Sequence, residues 1–435
     1  MSVKTIKDIC ELFWLLEKKY NLLEFEIDGV KPWQFRRMQL YYMISEKTEV
    51  LEQAHTKLTK KDKIFSLFGL VKNSILFNPF FHNKTDILIF PHERSKKVNN
   101  IYIDIYTDYL EKKFIDNNLN FCTMERPFLG RHIREPNKNK KYLDFIVLIA
   151  NIGKKFVKVK INDKDKLLIS NLNKDIKEYF NIDFDIEVFF IEAIQRYKIN
   201  YYLYTKLFQR LSPKELYVVV SYAHGDLIKA AKDLNIITKE IQHGTFSQYH
   251  LGYSFPEQKI ELDYFPDQLL VWNKYWKDMI KLPIANKNIL LYPFQYLESQ
   301  KNNYQKYKRN DNQMVVLSQG AIGEKMANVI LENITLFKDY QIKYKLHPGE
   351  YDRWKSYPSL VKLSNLENVE IIKDIDLYEL FSKSSIQIGV FSTAIYEGVE
   401  FGCKTILIDL PGIEYMDKFI EFYSLKQDKD LYVGC

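Results

Sequence analysis

The sequence predicts an α/β protein of two domains, each built on a doubly wound parallel sheet. At 435 residues the chain is longer than one ordinary core. Apolar runs of strand length also alternate with helical patterns along most of it. A composition of 46% hydrophobic and 27% charged residues is typical of a globular protein. We expect helical additions in front of the first sheet.

Residues 1–82 are predicted to be a helical N-terminal region, because apolar residues recur there at three- and four-residue spacing. Within this region, residues 64–81 (IFSLFGLVKNSILFNPFF) are unusually apolar and aromatic. This stretch is either a core or interdomain helix, which we favour, or an interfacial segment on a membrane surface. No apolar run is expected to approach the roughly 20 residues that span a bilayer.

The first sheet domain is predicted for residues 83–300, with its clearest strand–helix–strand unit at residues 215–245. Parallel strands place functional residues at their carboxyl ends. His243, in the turn QHGT, follows the second of these strands and is expected to face a cleft. A neutral imidazole there can take a proton from a hydroxyl group. His250 either lines the same cleft or packs against the tyrosines beside it, and packing is favoured.

The second sheet domain, predicted for residues 301–435, begins within the polar run 299–313, which is typical of a linker. Three loops at the ends of its predicted strands carry candidate ligand-binding residues: Gly320, Gly323, His347, Pro348, Ser392, Thr393 and Glu397. Because the carboxyl ends of parallel strands converge on one crevice, we expect the three loops to meet. Taken singly, each loop also fits a structural role, as a glycine turn, a proline turn or a helix cap.

The residue types in these loops suit a phosphate and a ribose. The two glycines let backbone N–H groups approach a ligand at a helix N-terminus. His347, held extended by the proline after it, can donate to a phosphate oxygen. Ser392 and Thr393 can cap a helix and form an anion site, and Glu397 can accept from two ribose hydroxyls.

Charge and cysteine usage exclude several other classes. The net charge of +7 is a mild excess, and without a dense basic block or zinc spacing it does not favour nucleic-acid binding. The four scattered cysteines and an N-terminus without signal-peptide shape favour a cytoplasmic protein with reduced thiols. Asp374 and Asp376 have the spacing of a magnesium motif, but they precede a helical pattern and are expected to cap it. No metal is predicted.

The motifs resemble those of known transferases. His347-Pro348 followed by Ser392-Thr393 is similar to the HP and S/T motifs of bacterial capsule and polysialic-acid glycosyltransferases. The QHGT turn resembles the corresponding turn of capsular polysaccharide transferases and of CDP-glycerol glycerophosphotransferases. The resemblance covers roughly residues 215–412. It implies the GT-B architecture, in which two Rossmann-like domains face each other across a cleft.

The resemblance also implies roles for single residues. His347, Ser392 and Thr393 would contact the donor phosphate, and Glu397 would bind the ribose. Gly320 and Gly323 would line the nucleotide loop, beside Pro348. His243 would be the general base or a second phosphate contact. The paired acidic motif of the polysialyltransferases has no clear counterpart here, so Asp226 and Glu93 stay open as alternative catalytic carboxylates.

The leading expectation is a glycosyltransferase of surface-polysaccharide biosynthesis, for capsule, O-antigen of lipopolysaccharide, or a teichoic-acid-like polymer. It would transfer a sugar or polyol phosphate, with inversion, from a nucleotide-activated donor to a glycan or lipid-linked glycan. A CMP-linked donor is favoured, the donor is a substrate so no cofactor is expected, and a peripheral contact with the cytoplasmic face of the inner membrane is expected. The alternatives are a nucleotide-sugar epimerase or pyruvyl transferase on the same fold, and a non-catalytic scaffold of polysaccharide assembly.

Overall fold

The structure, a computed structural model, describes residues 3–51, 59–93, 95–98, 100–256, 262–279 and 281–434. Three helices precede the first sheet: α1 (Ile6–Tyr20), α2 (Pro32–Lys47) and α3 (Lys60–Leu76). The first of these begins at a capping box, in which Thr5 and Asp8 each bond the other's backbone N–H. Its buried face, Ile6, Ile9 and Phe13, has the three- to four-residue spacing seen in the sequence.

The remaining elements fall into two groups along the chain. The first group contains the strands β1 (Ile87–Phe90), β2 (Lys96–Val98), β3 (Ile101–Ile103), β4 (Phe121–Glu125), β5 (Lys140–Tyr142), β6 (Glu215–Val219), β7 (Ile237–Ile241), β8 (Gln268–Val271) and β9 (Ile289–Leu291). Its helices are α4 (Asp108–Asp116), α5 (Asp144–Gly153), α6 (Asp163–Phe180), α7 (Ile186–Leu211), α8 (Gly225–Lys232), α9 (Lys274–Met279) and α10 (Gln295–Tyr304).

The second group completes the chain. Its strands are β10 (Asn310–Leu317), β11 (Gln341–Lys345), β12 (Val369–Ile372), β13 (Ser384–Gly389), β14 (Lys404–Ile408), β15 (Lys426–Asp428) and β16 (Leu431–Val433). Its helices are α11 (Gly323–Glu332), α12 (Pro358–Ser364), α13 (Leu377–Lys383), α14 (Thr393–Glu400) and α15 (Asp417–Phe422). Two seven-stranded sheets result, which confirms the predicted α/β architecture of two Rossmann-like domains.

The first sheet has the order β5-β4-β1-β6-β7-β8-β9, and all its strands are parallel. From β1 the chain builds outward to β4 and β5, then returns to β6 on the other side of β1. A ligand crevice of an open parallel sheet opens where the strand order reverses in this way. In this domain it therefore lies between the carboxyl ends of β1 and β6.

The second sheet repeats this arrangement, in the order β12-β11-β10-β13-β14-β16-β15. Its first five strands are parallel, and the order reverses between β10 and β13. Two sequence predictions need correction here. The run 404–412 (KTILIDLPG) is predicted from the sequence to be the last strand, but β15 and β16 follow it and add antiparallel beside β14. At three residues each, they are too short to show as a strand pattern. The polar run 299–313 is not all linker, since α10 extends to Tyr304 and β10 starts at Asn310.

The N-terminal helices support the loop that carries the QHGT turn. Arg37 of α2 forms a buried ion pair with Glu17 of α1, with Nε 2.6 Å from Oε1. Its guanidinium also donates to the carbonyl oxygens of Leu251 and Ser254. Because a buried guanidinium is stable only when its donors are paired, these bonds hold the loop after His243 against the two helices.

The two domains meet through aromatic side chains. The hydroxyl groups of Tyr41 in α2 and Tyr415 in the second domain lie 2.5 Å apart. The rings of Trp276 and Tyr396, one from each domain, have centroids 4.4 Å apart. Such contacts fix the relative placement of the two crevices.

Helix α3 is not a core element, although that was the favoured expectation. Of its residues only Ser74 is buried, and Phe68 is 72% exposed. By its length and its composition, the stretch Lys60–Phe81 could also cross a bilayer. The expectation that no apolar segment approaches the length of a bilayer span is wrong. Lys72 interrupts the apolar residues, but the mean hydropathy of the segment stays high.

Candidate functional site

The crevice of the first sheet is a pocket of about 850 Å³ that collects histidines and aromatic rings. Its lining includes His92 and Glu93 after β1, Tyr222 and His224 after β6, His243 after β7, and also Tyr42 and Phe128. The structure therefore brings His243 and Glu93, two of the predicted catalytic residues, into one pocket. They meet because each follows the carboxyl end of a parallel strand of the same sheet.

His243 lies among aromatic rings. Its imidazole is 6.2 Å from that of His92 and 6.1 Å from the ring of Tyr222, centroid to centroid. Its Nδ1 is buried without a hydrogen-bond partner among the described residues. Burial, together with the nearby His250 and His92, lowers the pKa of His243 to about 3. The imidazole is therefore neutral at pH 7, and no carboxylate of the described residues is hydrogen-bonded to it.

The two carboxylates predicted as alternatives lie in different settings. Glu93 is exposed, shares the pocket with His243, and has Arg126 Nη1 at 3.8 Å from its Oε1. Asp226 is buried at the start of α8, where Oδ2 accepts from Asn200 at 2.6 Å and Oδ1 from its neighbour's backbone N–H at 2.8 Å. Both oxygens of Asp226 thus hold the fold together, and Asp226 does not line the pocket.

His250 packs, as favoured. Its ring is 4.9 Å from Tyr253 and 5.6 Å from Tyr222, and Nδ1 accepts from the backbone N–H of Gly252 at 3.2 Å. Burial lowers its pKa to about 4. His250 therefore fills space between tyrosines behind the crevice.

In the second domain, the loops after β10 and β11 touch. A Cβ atom on Gly320 would lie 3.0 Å from His347 Nδ1, so a side chain there would crowd the imidazole. The backbone N–H of Gly349 donates to His347 Nδ1 at 3.1 Å. This bond places the imidazole proton on Nε2 and makes that nitrogen a donor. His347 is exposed, and Pro348 opens the short 3₁₀ turn that follows it.

The loop after β13 leads into the N-terminus of α14. Ser392 is the N-cap, with its hydroxyl accepting from the backbone N–H of Ala394 at 3.2 Å. Gln319 joins this loop to the one after β10, because its Oε1 accepts from the backbone N–H of Phe391 at 3.0 Å. Gly320 and Ser392 thereby flank the switch point between β10 and β13, and the loops meet at one crevice as expected from their positions at strand ends.

Gly323 is placed differently from Gly320. A Cβ atom on Gly323 would lie 1.7 Å from Glu350 Oε1, so its missing side chain makes room for that carboxylate. Gly323 also lines a separate pocket that includes Glu46 and Glu49, next to the end of α2. Glu324 and Lys325 line the same pocket, so carboxylates outnumber the one ammonium group there and disfavour a phosphate. The absence of a side chain at Gly323 makes room for Glu350 and serves packing.

Glu397 lies one turn into α14, about 6 Å along the helix axis from Thr393. It lines a cavity of about 970 Å³ that Trp272 and Phe294 of the first domain also line. Burial raises the pKa of Glu397 to about 7, although Lys96 and a hydrogen bond with Tyr378 oppose this. A half-buried carboxyl that reaches a cavity between the domains can accept from, or donate to, sugar hydroxyls.

The two crevices meet at one point. A Cβ atom on Gly244, next to His243, would lie 3.4 Å from Thr393 Oγ1 across the domain boundary. The absence of a side chain at Gly244 keeps the QHGT turn within van der Waals reach of the N-terminus of α14. A group bound at Thr393 would therefore lie beside the pocket of His243.

Several residues of the site were not predicted from the sequence. Gln319 and Glu350 brace the second crevice, and Glu350 accepts from Ser318 Oγ at 3.0 Å and from the backbone N–H of His347 at 2.9 Å. Arg353 donates to the carbonyl oxygen of Gly320. His92 closely follows the predicted strand, so the reasoning that identifies Glu93 as a pocket residue applies equally to His92. Asp376 does cap α13, as expected, with Oδ1 2.9 Å from the backbone nitrogen of Tyr378.

Comparisons with known proteins give distant similarities. No protein-family model matches the chain. Over 374 residues, 82% of this chain, it is 23% identical to an uncharacterized protein of Methanocaldococcus jannaschii, and it spans 65% of the length of that relative. In structure it is similar to the UDP-GlcNAc 2-epimerase of Methanocaldococcus jannaschii, with 12% identity, 78% of this chain and 86% of that chain covered, and a TM-score of 0.43.

A second solved structure, MurG of Acinetobacter baumannii, is similar at 7% identity, with 79% of this chain and 85% of that chain covered and a TM-score of 0.45. At these values neither structure supports a conclusion about activity. The resemblance to capsular and glycerophosphate transferases stays a prediction.

Proposed function

We propose that this protein is a nucleotide-sugar-dependent glycosyltransferase that moves a sugar, or a polyol phosphate, from a nucleotide-activated donor to a glycan hydroxyl. The observation that supports this most is the approach of Gly244 to Thr393, with 3.4 Å between the position of an added Cβ and Oγ1. It puts a phosphate-competent helix N-terminus beside an imidazole pocket. A transferase needs these two sites next to each other.

The donor would lie in the crevice between β10 and β13. Its phosphate would accept from the backbone N–H of Thr393, at the positive end of the α14 dipole, and from the hydroxyl of Thr393. His347, as an Nε2–H donor, would approach from the other side. Glu397 would bind the ribose from the cavity one turn further along α14.

The acceptor would lie in the pocket of His243, where aromatic faces and imidazoles suit a sugar ring. In the transfer step the acceptor O–H gives its proton to His243, and the acceptor oxygen forms a bond to the anomeric carbon. The bond between that carbon and the donor phosphate breaks, and its electron pair leaves with the nucleotide phosphate. This course applies to a sugar, and attack from the face opposite the leaving group gives inversion at the anomeric carbon. For a polyol phosphate, the acceptor oxygen would form its bond to the phosphorus that carries the polyol, and the nucleoside monophosphate would leave with the electron pair of the broken P–O bond.

The low pKa of His243 fits this step only when the donor is bound. A pKa of about 3 makes a weak base. A donor phosphate next to Thr393 would bring negative charge close to the imidazole and raise its pKa. His243 would therefore become an effective base only in the complex, and Glu93 is the alternative base in the same pocket.

Surface-polysaccharide biosynthesis and a CMP-linked donor are the finer parts of the proposal. The experiment incubates the chain with CMP-, CDP-, UDP- and GDP-linked donors, with and without glycan acceptors, and follows products by mass spectrometry. We expect one donor to add its sugar or polyol phosphate to an acceptor. An epimerised donor that forms without acceptor indicates an epimerase instead, and a panel with no product at all contradicts both enzymes.

A further inference from the structure

Helix α3 carries an apolar stripe that no described part of the chain covers. Ile64, Phe68, Val71 and Ile75 lie on one face, at spacings of three and four residues. Phe65, Leu67 and Leu76 widen this stripe, and all seven side chains are exposed. Scattered single apolar residues are normal on a protein surface, whereas a contiguous stripe of this kind marks an interaction site.

The opposite face of α3 is packed against the first domain. Ser66 lies against Gly130, where an added Cβ would be 1.7 Å from Ser66 Oγ. Asn73 Nδ2 donates to Asp144 Oδ1 of α5 at 3.1 Å. These contacts hold the helix flat on the domain, so it presents its stripe sideways and does not project as a spanning helix would.

The charges around the stripe identify what covers it. Lys60, Lys61, Lys63 and Lys72 are exposed on α3. Its one acidic residue, Asp62, is held by the capping box and by Arg131, with Nη2 2.6 Å from Oδ1. Apolar side chains flanked by lysines suit an anionic lipid surface. A second copy of the chain would bring the same lysines into mutual repulsion.

We propose that α3 is an interfacial anchor that lies on an anionic bilayer with its apolar stripe in the acyl boundary. The anchor would orient the His243 pocket toward the membrane. Gly130 belongs to the tight turn in which the backbone N–H of Phe128 donates to the carbonyl of Arg131 at 2.9 Å. Phe128 lines the His243 pocket. One turn of chain thus connects the anchor to the pocket, and the acceptor would be carried by a membrane lipid; this last step rests on the proposed function.

The first test is flotation of the chain with vesicles of phosphatidylcholine, with and without phosphatidylglycerol. We expect binding to the anionic vesicles that weakens as salt is raised. The variant Phe68→Ser/Ile75→Ser should lose at least about tenfold in the partition coefficient. The matched control Leu336→Ser/Val361→Ser removes two exposed apolar residues of the second domain and should bind as the unmodified chain does.

The lysines provide a second variant. Lys60→Gln, Lys61→Gln and Lys63→Gln should each weaken binding to anionic vesicles about fivefold. Absence of binding to anionic vesicles, or equal binding by the Phe68/Ile75 variant, overturns the proposal. So does a dimer in light scattering that this variant converts to monomer, because the stripe would then be a contact between copies.

A separate measurement distinguishes the anchor from the activity. With a lipid-linked acceptor in vesicles, the Phe68/Ile75 variant should lose transfer, yet it should keep transfer to a soluble acceptor and bind nucleotide normally. Equal loss on both acceptors contradicts the link between anchor and pocket. If the unmodified chain binds vesicles and transfers nothing, the proposed function fails and the anchor stands.

Discussion

The two crevices occupy equivalent positions in their sheets and differ in chemistry. The first is lined by the imidazoles of His92, His224 and His243 and by aromatic rings. In the second, Gly320 and Ser392 flank the switch point, Ser392 caps the N-terminus of α14, and Thr393 Oγ1 lies at the domain boundary. The first crevice can stack a sugar and exchange protons, while the second can hold an anion.

This difference shows how one topology can serve two ligands. A helix N-terminus with a free hydroxyl favours phosphate through its dipole and its N–H donors. The imidazole of His243, which is not hydrogen-bonded to any carboxylate in the described part of the chain, is neutral and can accept a hydrogen bond from a sugar hydroxyl group. The two sheets share one strand order, so the residues at the strand ends would decide which crevice binds the donor and which binds the acceptor.

The largest expected effect separates proton transfer from donor binding. His243→Gln should lower the transfer rate by at least about 100-fold, because glutamine cannot take the acceptor proton. Nucleotide affinity, measured by calorimetry, should stay nearly constant. If affinity collapses with the rate, His243 is a phosphate contact and the base lies elsewhere. His82→Gln, a histidine outside the pocket, is the control and should leave the rate unchanged.

Glu350→Ala should displace the loops of the second crevice, because Glu350 holds two of them together. The substitution removes the acceptor for Ser318 Oγ and for the backbone N–H of His347. We expect the free energy of unfolding to fall by about 1–3 kcal/mol in urea titrations, together with a weaker affinity for nucleotide. An unchanged urea midpoint would show that the loops hold their positions without this carboxylate.

His347→Ala should affect binding alone. Because His347 is exposed, the fold should keep its stability, while the lost bond to a phosphate oxygen should weaken nucleotide binding by about tenfold. A nucleoside without phosphate serves as the control ligand and should bind both proteins equally. An unchanged affinity for nucleotide would remove His347 from the donor site.

The last contrast concerns pH and separates two groups of histidines. Burial lowers the pKa of His224 and His243 to about 3 and that of His250 to about 4. The unfolded chain binds these protons below a pH of about 6.5. The free energy of unfolding that these histidines contribute is therefore fully present above that pH. It falls as the pH drops toward 3–4, by at most about 1.4 kcal/mol per pH unit for each histidine. His224→Gln should reduce this slope in urea titrations; an identical slope would contradict burial of a neutral His224.

His132 should behave in the opposite way. Burial opposes its protonation, but hydrogen bonds to Asp144 and Glu125, at 2.6 and 2.8 Å, outweigh it and raise its pKa. Its contribution to stability is present at low pH and is lost as the pH rises through the raised pKa. His132→Asn should therefore cost more stability at pH 6 than at pH 9. An equal cost at both values would mean that the ion pairs do not form.

Sequence patterns predicted the second crevice better than the first. Gly320, His347, Ser392 and Thr393 lie two to four residues after predicted strands, so strand-end reasoning places them at the edge of the second sheet. The bracing residues Gln319 and Glu350 could not be predicted, because their bonds join loops that are distant in the chain. The bonds that hold Asp226 and the carboxylates around Gly323 depend in the same way on tertiary contacts. The exposure of α3 could not be predicted either, because a buried core helix and an exposed apolar helix have the same composition.

The most direct test of the account is nucleotide binding at the point where the two crevices meet. Thermal unfolding of the chain is measured with CMP, CDP, UDP, GDP and ADP, beside the variant Thr393→Val. We predict that one nucleotide, at 100 times its Kd, adds about 2.7 kcal/mol of stability, and that Thr393→Val reduces this gain. No gain with any nucleotide, or the same gain in the variant, would contradict a donor site at the N-terminus of α14.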